Sequence, residues 1–163
     1  MSLELYTPEI SALAIGNPFP DRLADATGST ERRSPVCGSR VTVDVRLGED
    51  GRIAAVGTQV RACLLGQASS TLMAQHVVGR SVEEIIVARD ELTKWLAGTG
   101  DVPDWPGMAL FTPGLKLTAR HASIRLAFEA AAEAAEQARA GRAQDSVTRN
   151  GQIRIGDAPA GHD

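Results

Sequence analysis

Val41, Val43, Val45 and Leu47 alternate with Thr42, Asp44 and Arg46, a period-two pattern that predicts a strand with one buried face. Gly48-Glu49-Asp50-Gly51 follows as a hairpin turn, and a return strand is expected from Arg52 to about Val60. Its alternation breaks near Gly57, where a bulge is expected. Upstream, Thr7-Pro8-Glu9 reads as a helix N-cap with proline at the first helical position. That helix stops at Gly16, ahead of Asn17-Pro18. Residues 17–39 are rich in Pro, Gly, Ser and Asp and predict a long loop with room for one short strand.

Cys63 closes the return strand. A helix is expected from about Leu64 to Val78, with small residues Ala68, Ser69 and Ser70 in its first half and Gly79 at its end. Ser81 and Glu84 form a capping-box pattern, so a further helix carries Val82, Ile85, Ile86, Leu92, Trp95 and Leu96. Residues 98–114 read as a second loop, and an alanine- and glutamate-rich helix runs from about Leu117 to Ala140. Strands segregated from helices predict an α+β fold: a small antiparallel sheet, a hairpin with room for a third strand, packed against several helices. Residues 1–140 are expected to form this domain, and 141–163 a mobile polar tail.

Composition narrows the function. The 163 residues carry a formal charge of −3, with 43% hydrophobic and 23% charged residues. No basic footprint points to nucleic acid, and no segment is long and apolar enough to span a membrane. Residues 1–10 carry acids and no basic region, unlike a signal peptide, so a cytoplasmic location is expected. Cys37 and Cys63 are too few for a disulfide framework. As free thiols they are buried structural groups, metal ligands or reactive groups.

The motifs around them are more specific. Pro35-Val36-Cys37-Gly38-Ser39 opens the first strand, and Cys63 precedes a helix reading LLGQASSTLMAQHVVGRSVEEI. This pattern resembles the IscU, SufU and NifU N-terminal family of iron–sulfur cluster scaffolds. That family has a Pro-x-Cys-Gly-Asp entry to a strand, a hairpin, a second cysteine before a small-residue helix, and a Gly-Lys/Arg-Ser/Thr break. Gly57, Gly66, Ala68, Ser69, Ser70, Met73 and Gly79-Arg80-Ser81 echo that stretch. Asn17-Pro18 and Leu23-Ala24-Asp25-Ala26 echo the family's loop. Arg61-Ala62 departs from its usual glycine-containing approach to the cysteine. The resemblance spans roughly residues 5–135, and the long segment Gly98 to Pro113 looks more like the SufU branch.

The resemblance implies a ligand set of three cysteines and one aspartate, and this chain keeps only part of it. Cys37 and Cys63 match the first two cysteines. Ser39 stands where the family has aspartate. Alignment on Ala119-Arg120 and on Leu126, Phe128 and Ala130 puts Ser123 at the third cysteine; a one-residue slip puts Ala122 there. A neutral serine hydroxyl is a poor metal ligand, because ligands must be deprotonated. His121 lies near the third-cysteine position and offers an imidazole; a solvated helix-start histidine is the plainer reading. Arg120, at the same end, is expected either to stabilise a thiolate or persulfide or to be a surface arginine.

Three functions follow from the resemblance. The first is a scaffold or carrier that binds a transient iron–sulfur cluster through Cys37 and Cys63. It would work with a cysteine desulfurase and with cluster-accepting proteins. Its cluster would be completed by His121, an external thiol or a second copy in a homodimer. The second is a SufU-like, zinc-dependent sulfur acceptor in which Cys37 takes a persulfide, which would make the chain an enzyme. The third is a relative without metal or cofactor, kept for contacts with assembly partners.

Overall fold

The computed structural model describes residues 6–35 and 38–157, with side chains described as far as Ala143. Helix α1 spans Pro8–Ile15, and the Thr7 hydroxyl accepts the Ile10 N–H at 3.2 Å, as the N-cap pattern predicts. Strands β1 (Gly28–Arg33), β2 (Arg40–Leu47) and β3 (Ile53–Arg61) form an antiparallel sheet in the order β1-β2-β3. β1 is the short strand that the 17–39 segment had room for.

Helices α2 (Leu64–Val77) and α3 (Val82–Leu96) are separated by Gly79, whose positive φ of 92° suits only glycine well. The Ser81–Glu84 capping box forms as the sequence indicates. Two 3₁₀ segments, Met108–Lys116 and Thr118–Arg120, lead into α4 (His121–Asp157).

The inward residues of β2, Val41, Val43 and Val45, are fully buried. Helix α4 lies across β1 and β2, and α2 is wedged between α1 and α4. This gives helices on one face of a small antiparallel sheet, the predicted α+β layering. The α4 stripe facing the core is alanine: Ala127, Ala130, Ala131, Ala134, Ala135 and Ala138 are all buried. Small side chains let backbones approach closely. A Cβ placed on Gly28 of β1 would sit only 2.0 Å from the Ala134 carbonyl oxygen.

Two local expectations shift. The bulge is not at Gly57. Arg46 pairs with Ala55 while Leu47 pairs with Ile53, so Ala54 is the extra residue, beside the turn. Gly57 instead meets the loop that crosses the outer face of the sheet. A Cβ there would lie 2.6 Å from both the Asp21 carbonyl oxygen and the Leu23 nitrogen. The last helix also runs past Ala140 to Asp157. Gly141 weakens a helix by only about 1 kcal/mol relative to alanine, and no proline lies between Ala140 and Asp157 to stop it. Its buried face nonetheless ends at Ala138, the last buried residue with a described side chain.

Candidate functional site

The β2–β3 register pairs Arg40 with Arg61, and the β1–β2 register pairs Arg33 with Arg40. Ser39, one residue before Arg40, and Cys63, two residues after Arg61, therefore emerge at the same end of the sheet. The turn that joins β1 to β2 is closed by backbone bonds from Ser34 N–H to the Ser39 carbonyl (2.9 Å) and from Gly38 N–H to the Ser34 carbonyl (3.2 Å). Gly38 takes a φ of 73° there. Cys37 lies outside the described residues.

Cys63 is the N-cap residue of α2 and makes no side-chain capping bond. Its thiol is free and half-buried against the core edge. The start of α4 crosses α2 one turn further on. A Cβ on Gly66 would lie 3.5 Å from the Ser123 carbonyl oxygen and 3.9 Å from the Ser123 Cβ. The Ser69 hydroxyl donates to the Ile124 carbonyl at 2.6 Å, which ties the two helices together at that crossing. The small residues at the head of α2 thus admit α4, and they bring Ser123 to the Cys63 end. Ser39 and Ser123 are both buried, at 4% and 2% exposure.

His121 opens α4 and is also buried, 7% exposed. Its Nε2 lies 3.0 Å from the Gly114 carbonyl oxygen and 3.1 Å from that of Leu115. Carbonyl oxygens only accept, so Nε2 carries the proton and is spent holding the 3₁₀ segment. Only Nδ1 retains a lone pair for any metal. Arg120, by contrast, is exposed on the preceding 3₁₀ turn.

Zinc asks for four ligands drawn from Cys, His, Asp and Glu. Among the described residues no three such side chains come together. With serines at positions 39 and 123 and His121 committed through Nε2, the described residues do not make a zinc set.

A feature that the sequence reading missed holds the loop over the sheet. Asp44, expected on an open face, is 1% exposed. It accepts Arg22 Nε at 2.7 Å and a second Arg22 nitrogen at 3.0 Å, the Leu23 N–H at 3.0 Å, and the Ser29 hydroxyl. Burial pushes its carboxyl pKa up, but the bonds from Arg22, Ser29 and Leu23 outweigh this and hold it below the ordinary value. The strand period hides this residue, because nothing in it shows that residues 19–25 fold back across the outer face.

Residues 19–108 match the model of the NifU-like N terminal domain, more than half of the chain. The chain belongs to the NifU-like N-terminal domain family. A relative described as the iron–sulfur cluster assembly scaffold protein IscU of Thermotoga maritima is 31% identical over 94 residues. That match covers 58% of this chain and 66% of the relative, just under two thirds of its length. The crystal structure of a nitrogen-fixing NifU-like protein (N-terminal) from Brucella abortus superposes with a TM-score of 0.79 at 33% identity, covering 83% of this chain and 95% of that one. A protein described as a scaffold for the SUF system from Fervidobacterium islandicum superposes at 0.75 with 19% identity over 83% of this chain and 99% of its own, a likeness of fold. Within the NifU-like frame, two of the small residues of α2 lie where it meets α4: Gly66 faces Ser123, and the Ser69 hydroxyl bonds the Ile124 carbonyl. No helix among the described residues is long and apolar enough to cross a membrane.

Proposed function

We propose that this chain is an iron–sulfur cluster assembly scaffold or carrier, which takes up sulfur and iron and passes the cluster on as cargo. The observation that carries the reading is Cys63. A NifU-like domain presents this thiol at the head of α2, uncommitted to capping, at the sheet end where α4 begins. Cys37 is the second proposed thiol. The proposed partners are a cysteine desulfurase, cluster-accepting proteins and a second copy of this chain, in the cytoplasm.

The sulfur step balances simply. A thiolate attacks the terminal sulfur of a desulfurase persulfide, forms a new S–S bond and releases the desulfurase thiolate. Two electrons from an external thiol reductant then reduce that sulfur to sulfide, which binds iron together with the chain's thiolates. Serines at the two remaining family positions leave the cluster weakly held, which suits transfer more than storage. A second chain or an external thiol completes the ligands.

The test is anaerobic incubation of the protein with a cysteine desulfurase, cysteine, ferrous iron and a thiol reductant, followed by desalting. Iron and acid-labile sulfide should co-elute with the protein in equal amounts, and Cys63→Ser should abolish both. Sulfane sulfur on the protein with zinc but no iron would favour a sulfur acceptor. Neither metal nor sulfur would leave only a role in protein contacts.

A further inference from the structure

The outer face of the sheet divides into rows running across the strands. Ser29, Asp44 and Gly57 form one row, and the loop at residues 21–23 covers it. Glu31, Thr42 and Gln59 form the next. The last row, at the Cys63 end, is Arg33, Arg40 and Arg61, each in direct register with its neighbour. Adjacent strands lie about 4.8 Å apart, so this row spans about 10 Å.

Like charges directly opposite one another destabilise a sheet, and the local compensation is small. Glu31 pairs with Arg33 at 2.6 Å. Neither Arg40 nor Arg61 has an ion-pair partner among the described residues. Three guanidinium groups against one carboxylate leave two positive charges on this patch, in a chain whose formal charge is −3. Glu31, Arg40, Thr42, Gln59 and Arg61 line an open recess of about 160 Å³.

We propose that the Arg33–Arg40–Arg61 row is a docking site for an acidic segment of a partner protein that meets this chain at its Cys63 end. Charge complementarity selects the sign. Geometry selects a protein segment over a small anion. The charges are spread across three strands on an open face rather than gathered around one point, as a phosphate cradle requires. Carboxylates three and four residues apart on a helix are about 5–6 Å apart, close to the strand spacing. Arg61 lies two residues before Cys63, so a partner seated on the row is beside the thiol. Such a site steers encounter and fixes orientation more than it adds affinity.

This deepens the scaffold reading and rests on it for the partner's role, but its test involves neither iron nor sulfide. A failed docking test and a failed cluster test are therefore separate results. The probe is a fluorescein-labelled, helix-forming peptide with glutamates at every third and fourth position, followed by anisotropy at low salt. Wild type should bind it, and added salt should weaken binding. Arg40→Gln with Arg61→Gln should weaken it about tenfold, on the scale of two exposed charge pairs. Arg40→Lys with Arg61→Lys should keep most of the binding. Arg142→Gln, an exposed arginine elsewhere, should change nothing. Glu31→Gln, which removes the competing carboxylate and leaves the arginines in place, should tighten binding about two- to fivefold. No binding by wild type, equal losses in the Arg142 and double variants, or no gain from Glu31→Gln would overturn the proposal. So would tighter binding of pyrophosphate or an oligothymidylate than of the peptide.

Discussion

Ser123 lies against Gly66: a Cβ built on that glycine would come within 3.9 Å of the Ser123 Cβ. This contact places the head of α4 one turn from Cys63, where the family resemblance puts a third cysteine. A buried hydroxyl therefore stands near the Cys63 end, and we propose that it occupies the third-cysteine position. Ser123→Cys with Ser39→Asp should supply two ligands of the kinds zinc accepts. Completed zinc sites bind with roughly 10–16 kcal/mol, so the gain should be large. A competing chelator, titrated against wild type and the double variant, measures it. Equal zinc affinity in the two proteins would mean that these side chains do not reach a common point.

The Arg22–Asp44 clamp makes a second outcome measurable. Asp44 has a folded pKa below its ordinary value. Its contribution to stability is fully present above the unfolded carboxyl value, about 3.9. It is lost as pH falls through the lower folded value. Arg22→Ala leaves a buried acceptor short of partners and should cost about 1–3 kcal/mol near neutral pH. Half of the Arg22 side chain is exposed, so water replaces part of what is lost and the low end of that range is expected. The penalty should shrink below about pH 4, where Asp44 takes up a proton. Urea melts of both proteins across that range test the sign. A penalty that does not depend on pH would argue that Arg22 acts through packing alone.

Elements with a strong local code were legible in the sequence. Thr7 and Pro8 start α1, Ser81 and Glu84 start α3, and the alternating valines of β2 lie on the buried face. Each depends on residues within one turn or one strand. What was not legible depends on contacts distant in sequence. Gly57 reads as a bulge when only its own strand is considered, whereas its lack of a side chain admits Asp21 and Leu23 from a loop more than thirty residues earlier. The arginine row is invisible for the same reason. Arg33, Arg40 and Arg61 are scattered polar residues until the strand register aligns them. Near the candidate site, the motif spacing anticipated that Cys63 stands just before a helix. It gave no sign that His121 would turn inward to the carbonyls of Gly114 and Leu115.

Gly28 and Gly57 lie where backbone meets backbone, so neither can gain a methyl group without movement. At Gly28 the new carbon would meet the Ala134 oxygen at 2.0 Å and the Ala138 nitrogen at 2.9 Å. Main-chain atoms of a helix cannot swing aside as a side chain can. Gly28→Ala should therefore cost at least the about 1–3 kcal/mol typical of overpacking, and more than Gly57→Ala, whose neighbours belong to a loop. In a chain of this size, each kcal/mol lowers Tm by about 2–4 °C. Thermal melts of the two variants should rank in that order. The reverse ranking would mean that the outer loop is held more rigidly than the β1–α4 contact.

His121 allows a structural role to be separated from a ligand role. Its Nε2–H is shared between two carbonyls at the junction of the 3₁₀ segment and α4, in a nearly buried position. Removing the donor in His121→Ala strands those acceptors and should destabilise the protein by about 1–3 kcal/mol. His121→Gln restores an N–H donor of similar reach and should recover part of that loss, although an amide is no substitute for imidazole as a metal ligand. Stability and metal content therefore make opposite predictions for the glutamine variant. If His121 only organises the junction, His121→Gln should approach wild-type stability and load iron and sulfide as wild type does. If Nδ1 completes the ligand set, His121→Gln should be stable yet lose its iron on desalting. Urea melts and iron assays on the same preparations decide between them, and the committed Nε2 favours the first outcome.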